Sequence, residues 1–117
     1  MDRAATSVSP MQRVCFLLQL KPDRVQDYVA AHQHVWPDML EALTAAGWRN
    51  YSLFLRESDG LVVGYLETDD FAAAQRRMAE TEVNARWQAG MAQYFLSDDQ
   101  ANPDEQTRPL SEYFHLE

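Results

Sequence analysis

The chain has 117 residues, which fits one domain, and its formal net charge of -8 excludes the basic surface that nucleic acids and anionic membranes require. Its one cysteine, Cys15, excludes an intrachain disulfide framework and is compatible with a reducing cytoplasm. No apolar run approaches the roughly 20 residues that span a bilayer, so a cytoplasmic protein is expected. Residues 1–10 lack the apolar core of a signal peptide and are predicted to be a flexible N-terminal leader before a single domain at residues 11–117.

The first predicted elements are a strand and a helix. Apolar residues alternate over residues 13–20 and leave both faces of the strand largely apolar. Pro22 and Asp23 favour the first turn of a helix. Pro37 should interrupt that helix, and Gly47 is suited to end it.

The first helix carries the most informative spacing in the chain. Tyr28, His32 and Trp36 are four residues apart, which predicts one column on one helix face. A titratable group among apolar residues indicates either a packed core or the wall of a pocket. The residues alone leave both interpretations open.

The remaining pattern predicts a hairpin, two helices and a last strand. Residues 49–56 and 61–67 form the hairpin, followed by helices at residues 71–79 and 82–93. A polar surface segment is expected at residues 97–109 and a strand at residues 110–116.

This order predicts an α+β fold of the ferredoxin-like βαββαβ type, with an antiparallel sheet and helices on one face. Strands that are apolar on both faces leave one sheet face to be covered. A second copy of the chain could cover it, which predicts a homodimeric α/β barrel.

Familiar catalytic motifs are absent from the sequence. It has no phosphate-binding glycine loop and no CxxC pair, and His32 and His34 are two apart on a helix, a poor spacing for a metal pair. His32 is the candidate for proton transfer, because the imidazole side chain titrates near neutrality and aromatic residues lie near it in the predicted helix. Tyr28 could orient it, Tyr51 could reach the same space, and Trp87 offers a flat surface for a sugar.

Several short motifs together resemble the L-rhamnose mutarotase family. They are Tyr28-x-x-x-His32-x-x-x-Trp36-Pro37, Asn50-Tyr51, Arg86-Trp87 and Asn102-Pro103-Asp104, in this order. Gln88 departs from the family pattern, which often has a second tryptophan there.

The resemblance implies a cofactor-free and metal-free homodimer that interconverts the α and β anomers of L-rhamnose or a related deoxy-sugar. It implies that His32 is the general acid and that Tyr28, Tyr51 and Trp87 contact the substrate. The sequence does not identify the base.

Two other functions fit the same predicted fold. One is a small dimeric monooxygenase or haem-handling protein, and the other is a sugar-binding module in which His32 only packs. No partner other than a small sugar and a second subunit is expected, and neither nucleic acid nor membrane.

Overall fold

A four-stranded antiparallel sheet organises the protein, and the computed structural model describes residues 11–96 and 107–117. In chain order the elements are β1 (Gln12–Gln19), α1 (Val25–His32), α2 (Pro37–Ala46), β2 (Arg49–Arg56), β3 (Leu61–Thr68), α3 (Phe71–Ala79), α4 (Glu82–Met91) and β4 (Arg108–Leu110). Short 3-10 turns lie at Pro22–Arg24 and Ala92–Tyr94. The strand order β2-β3-β1-β4 with helical crossovers confirms the predicted ferredoxin-like βαββαβ fold.

Strand β3 shows which sheet face the helices cover. Val62 and Leu66 are buried and point to the helix layer, while Val63 and Tyr65 between them are only half-buried. Because successive side chains of a strand point to opposite faces, the hydrophobic core lies between the sheet and the helices. The other face of the sheet is less enclosed.

Close packing at the centre of the sheet requires a glycine. Gly64 on β3 pairs with Phe16 on β1, and a Cβ added at Gly64 would overlap the Phe16 ring. The tip of the Phe16 ring occupies the space above Gly64, and Phe16 is 3% exposed. This arrangement brings an aromatic ring to the floor of the space beneath the helices.

The predicted helix boundaries are confirmed at their caps. Gly47 has a φ of 101° after α2, and its left-handed conformation ends the helix as expected. The Asp70 carboxylate accepts a hydrogen bond from the Ala73 amide at the start of α3. Thr81 Oγ1 accepts one from the Asn84 amide at the start of α4.

The prediction that Tyr28, His32 and Trp36 form one helical column was wrong for Trp36. Helix α1 ends at His32, and Trp36 is extended, with φ −61° and ψ 138°. The cause is Pro37, which disfavours the helical conformation of the residue before it. Pro37 then occupies the first position of α2, the restart that the sequence predicted.

The predicted last strand at residues 110–116 was also wrong. Strand β4 is Arg108–Leu110, and it pairs with β1 opposite Cys15, Phe16 and Leu17; residues 111–117 have no regular structure. Beyond Leu110 the chain makes a side-chain contact instead of a strand ladder: Arg13 donates to Glu112 at 2.7 Å. Alternation alone does not make a strand where no backbone partner continues the ladder.

Two predicted segments fall wholly or mostly outside the described residues. The leader at residues 1–10 and residues 97–106 of the polar segment predicted at residues 97–109 are of this kind, so these predictions stay open. The end of that polar segment was wrong, because Arg108 and Pro109 pair with β1 as part of β4. None of the helices in the described ranges is long and apolar enough to cross a membrane.

Candidate active site

A cavity of about 940 Å³ lies between the sheet and the four helices. All four residues that the sequence singled out for chemistry line it, namely Tyr28, His32, Tyr51 and Trp87. Its volume is in the range of small-molecule sites in proteins. The pocket interpretation of the first helix is therefore the one that agrees with the structure.

Helix α1 supplies the titratable centre of the cavity. Tyr28 is 5% exposed, and its ring centroid lies 4.3 Å from that of His32, one turn later. His32 is half-buried, and its Nδ1 lies 3.1 Å from the backbone carbonyl oxygen of Tyr28. That hydrogen bond fixes the direction of the imidazole ring.

Helix α4 closes the other side of the histidine. Trp87 is 7% exposed, and its ring meets the His32 ring edge to face at 5.4 Å. Trp36 contacts Trp87 in the same way at 5.0 Å, and the Arg86 guanidinium lies over the Trp36 ring. Trp36 thus reaches this cluster of rings from an extended segment, at the exposed rim.

A β-bulge on β2 lies next to Tyr51, which lines the cavity. Arg49 pairs with Glu67 and Ser52 with Tyr65, so β2 has one residue more than β3 between these pairs. Asn50 absorbs it with a φ of 51°, a left-handed conformation that asparagine tolerates better than most residues. The extra residue leaves both Arg49 and Ser52 on the outer sheet face, while Tyr51 continues the helix-facing alternation of Leu53 and Leu55.

The tyrosine hydroxyls are held in their protonated form. Burial raises the pKa of Tyr28 to about 12. Burial, with the nearby phenol of Tyr28, also raises the pKa of Tyr51, although the residue is 37% exposed. Both groups are neutral hydrogen-bond donors at physiological pH.

Burial also changes the pKa of His32, but it lowers this pKa because the protonated form of histidine is the charged one. It lowers the pKa of His32 below the ordinary 6.5, and the hydrogen bond from Nδ1 to the Tyr28 carbonyl opposes this more weakly. His32 is therefore mostly neutral at neutral pH.

The cavity also contains polar residues to which the sequence assigned no role. Gln75 and Arg76 on α3 line it, as do Asn84 and Gln88 on α4, where Gln88 Nε2 donates to Asn84 Oδ1 at 3.3 Å. The sequence contained a signal for the α4 residues, namely their helical spacing. Residues 84, 87, 88 and 91 recur at intervals of three or four, which places them on one helix face, and all of them line the cavity. In the part of the chain that the structure describes, His, Cys, Asp and Glu side chains form no group of three that could hold a metal ion.

Comparisons with known proteins agree on one family. The family model for L-rhamnose mutarotase matches residues 13–116. An L-rhamnose mutarotase of Bacillus subtilis is 36% identical over 107 residues, covering 92% of this chain and all of that protein.

Two solved structures show the likeness of fold. A crystal structure of an L-rhamnose mutarotase from Formosa agariphila has a TM-score of 0.75 at 23% identity and covers 91% of this chain and 99% of that one. A putative antibiotic biosynthesis monooxygenase from Nitrosomonas europaea has a TM-score of 0.59 at 12% identity and covers 90% of this chain and 91% of that one.

Proposed function

The chain belongs to the L-rhamnose mutarotase family, and we propose that it interconverts the α and β anomers of L-rhamnose, with His32 as the group that moves protons. The observation that carries this proposal is that one cavity brings together an imidazole, two protonated phenols and a buried indole face. Mutarotation opens the pyranose ring by removing a proton from the anomeric hydroxyl and adding one to the ring oxygen. The free aldehyde then rotates and closes again.

The cavity residues match the needs of this reaction. His32 is the side chain suited to exchange protons near neutrality. Tyr28 and Tyr51 offer hydroxyls to sugar oxygens, and Trp87 offers an apolar surface to the ring and methyl group of a deoxy-sugar. The uncatalysed reaction is already fast, so general acid–base help of roughly 10²–10⁴-fold makes a useful enzyme without any cofactor.

Anomer exchange of L-rhamnose, followed by saturation-transfer NMR, tests the activity. The wild-type chain should accelerate exchange, and His32→Ala should lose roughly 10²–10⁴-fold of the acceleration. His34→Ala is the matched control, because His34 is exposed and does not line the cavity. If the wild type does not accelerate exchange of any deoxy-sugar, the proposed activity is wrong.

The family match and a binding measurement separate mutarotation from the two other functions that fit this fold. The family match does not favour the monooxygenase or haem-handling alternative, and the likeness to the Nitrosomonas europaea protein shows the fold alone. A sugar-binding module would give heat on calorimetric titration with L-rhamnose but no change in anomer exchange.

We also propose that two copies of the chain associate through their outer sheet faces. This face carries Phe54, which is 61% exposed, and Leu110, which is 49% exposed, beside half-buried Val63. Large apolar side chains that are exposed on one sheet face are costly to leave in water. The expected partner is a second copy, because face-to-face sheets would bury them on both sides.

The oligomeric state is measured by light scattering after gel filtration. Phe54→Glu should shift the protein from dimer toward monomer. Ala89→Glu adds the same charge on an exposed position of α4 and should not. A monomeric wild type would refute the dimer.

A cytoplasmic location stays a prediction, with which the free thiol of Cys15 is compatible.

A further inference from the structure

Trp36 belongs to the most informative spacing of the sequence but has no part in the proposed function. It is 37% exposed and does not line the cavity. Its ring centroid nevertheless lies 5.0 Å from that of Trp87, which does line the cavity, and the two rings are nearly perpendicular at 87°. Trp36 therefore packs against a part of Trp87 that does not face the cavity.

The start of α2 holds the backbone of Trp36. The Trp36 carbonyl oxygen accepts hydrogen bonds from the amides of Met39 at 3.0 Å and Leu40 at 3.1 Å. Pro37 restricts the backbone conformation of the residue before it, and Met39 is buried in the core. With its backbone fixed in this way, the indole of Trp36 can move only by changing its side-chain rotamer.

An arginine on α4 restricts that rotamer. The Arg86 guanidinium carbon lies 5.6 Å from the centroid of the Trp36 ring, which is within the range of a cation–π contact. Arg86 Nη2 also lies 3.6 Å from Oδ2 of Asp38, in the first turn of α2. Both side chains are exposed, so each contact is weak by itself. Together they connect the segment before α2 to the helix that carries Trp87.

Trp87 is contacted both by the end of α1 and by the segment that follows it. The His32 ring lies 5.4 Å from the Trp87 ring at 86°, and the Trp36 ring makes the second perpendicular contact. Truncating Trp36 would open a space beside the Trp87 indole. The indole could then adopt other rotamers, and its surface would no longer be held in one orientation for the sugar.

We infer that Trp36 is a positioning residue, which with Arg86 holds the Trp87 indole in the orientation that presents its apolar surface to the sugar. The inference rests on the proposed function and adds to it two residues that lie outside the cavity. Trp36 acts only through Trp87. A surface that contacts the sugar equally in the ground state and in the transition state contributes to KM and not to kcat.

Steady-state kinetics of L-rhamnose anomer exchange test the positioning role. Trp36→Leu should raise KM by about 2- to 12-fold, the range that one aromatic pair contributes, with kcat nearly unchanged. Trp36→Phe keeps a ring and should stay within about twofold of the wild type. A fall in kcat at unchanged KM, or equal losses in the two variants, would overturn the inference.

Dependence on Trp87 separates positioning from general packing. In a Trp87→Leu background, Trp36→Leu should have no further effect on KM, because the surface that Trp36 holds is already gone. Urea denaturation of the same variants shows that each is folded under the assay conditions. If the two substitutions raise KM independently, so that their effects multiply, Trp36 does not act through Trp87 and the inference is wrong.

NMR relaxation measures the motion of Trp87 without any need for activity. The chain has three tryptophans, and variants that replace one of them by phenylalanine assign the three indole N–H signals. The order parameter of the Trp87 indole N–H should be about 0.85 in the wild type and below about 0.6 in Trp36→Leu. Trp48, whose ring contacts Tyr51 and Phe71, is the internal control and should not change. A Trp87 indole that stays rigid in Trp36→Leu would overturn the inference.

The contribution of Arg86 has a matched control within the chain. Arg86→Gln should raise KM by about 2- to 5-fold, the range of one exposed cation–π contact, and lower the order parameter of Trp87. Arg24 lies 4.8 Å from the centroid of the Tyr94 ring and 3.0 Å from Asp27, a similar arrangement elsewhere on the surface. Arg24→Gln should leave the order parameter of Trp87 unchanged. An equal decrease in both variants would contradict the role given to Arg86.

Failure of the inference differs from failure of the proposed function. A wild-type chain that does not accelerate anomer exchange refutes the proposed function, whatever the order parameters are. A chain that accelerates exchange, but whose Trp87 indole and KM are unchanged by Trp36→Leu, keeps the proposed function and refutes the inference.

Discussion

Asn50 is expected to control both the stability of the sheet and the position of Tyr51. Its φ of 51° lies in the left-handed region, which costs a residue with a Cβ about 1–2 kcal/mol. Its side chain also donates to Glu67 at 3.3 Å, but on the surface. We therefore compare Asn50→Val with Asn50→Gly, which both lose this hydrogen bond and differ in how they tolerate the backbone.

The magnitude follows from two opposing effects. Valine is β-branched and should cost about 2 kcal/mol at this φ, while glycine costs nothing there. Glycine loses about 0.4–1 kcal/mol more conformational entropy on folding. Asn50→Val should thus be less stable than Asn50→Gly by at least about 1 kcal/mol.

Urea denaturation measures this difference as a lower midpoint with an unchanged slope. Under conditions where both variants are folded, Asn50→Gly should keep most of the kcat/KM for anomer exchange. Asn50→Val should lose more, because strain in the backbone directly before Tyr51 would shift this side chain within the cavity. Equal stability and equal kcat/KM for the two variants would refute the role given to the left-handed residue.

The other predictions concern packing, capping, pH and substrate contact. Gly64→Ala should lower the free energy of unfolding by about 1–3 kcal/mol because its methyl overlaps the Phe16 ring, and the cost should be smaller in a Phe16→Leu background, as a double-mutant cycle would show. Thr81→Ala should cost about 1 kcal/mol in urea denaturation and Thr81→Ser much less, since serine keeps the oxygen that caps α4. Because the folded pKa of His32 is lowered, the unfolded chain binds more protons there, so stability falls as pH drops below about 6.5; His32→Ala should show a shallower fall, and an equal slope would contradict the burial of this group. Trp87→Leu should reduce kcat/KM about tenfold more than Trp87→Phe, which keeps a flat ring; equal losses would argue against a sugar-stacking role.

The element types could be predicted because each depends on a repeated pattern. Several residues indicate each element independently: apolar residues alternate along β2 and β3, and they recur at helical spacing in α4. Caps such as Thr81 add local chemistry at the boundary. Errors came where a single residue or a missing neighbour decides the conformation, as with Trp36 before Pro37 and the chain after Leu110.

The candidate site was predictable in its residues but not in its geometry. Tyr28 and His32 are one turn apart on a helix, so their contact follows from spacing. The bulge at Asn50 could not be inferred, because the two residues before Ser52 fit an ordinary strand equally well. The hydrogen bond from His32 to the Tyr28 carbonyl was also hidden, since the backbone of any helix offers carbonyls and the choice depends on the rotamer.

The site is divided between the two halves of the chain, which ties the proposed activity to complete folding. Tyr28 and His32 come from the first crossover, Tyr51 from the bulge on β2, and Trp87 from the second crossover. Strands β1 and β2 are not neighbours, since β3 lies between them, so the cavity forms only after the hairpin has paired with β1. A substitution anywhere in this arrangement can lower activity by loosening the fold. Matched pairs such as Asn50→Val and Asn50→Gly are therefore informative when stability and anomer exchange are measured on the same samples, because the difference in activity can then be compared with the fraction of folded protein.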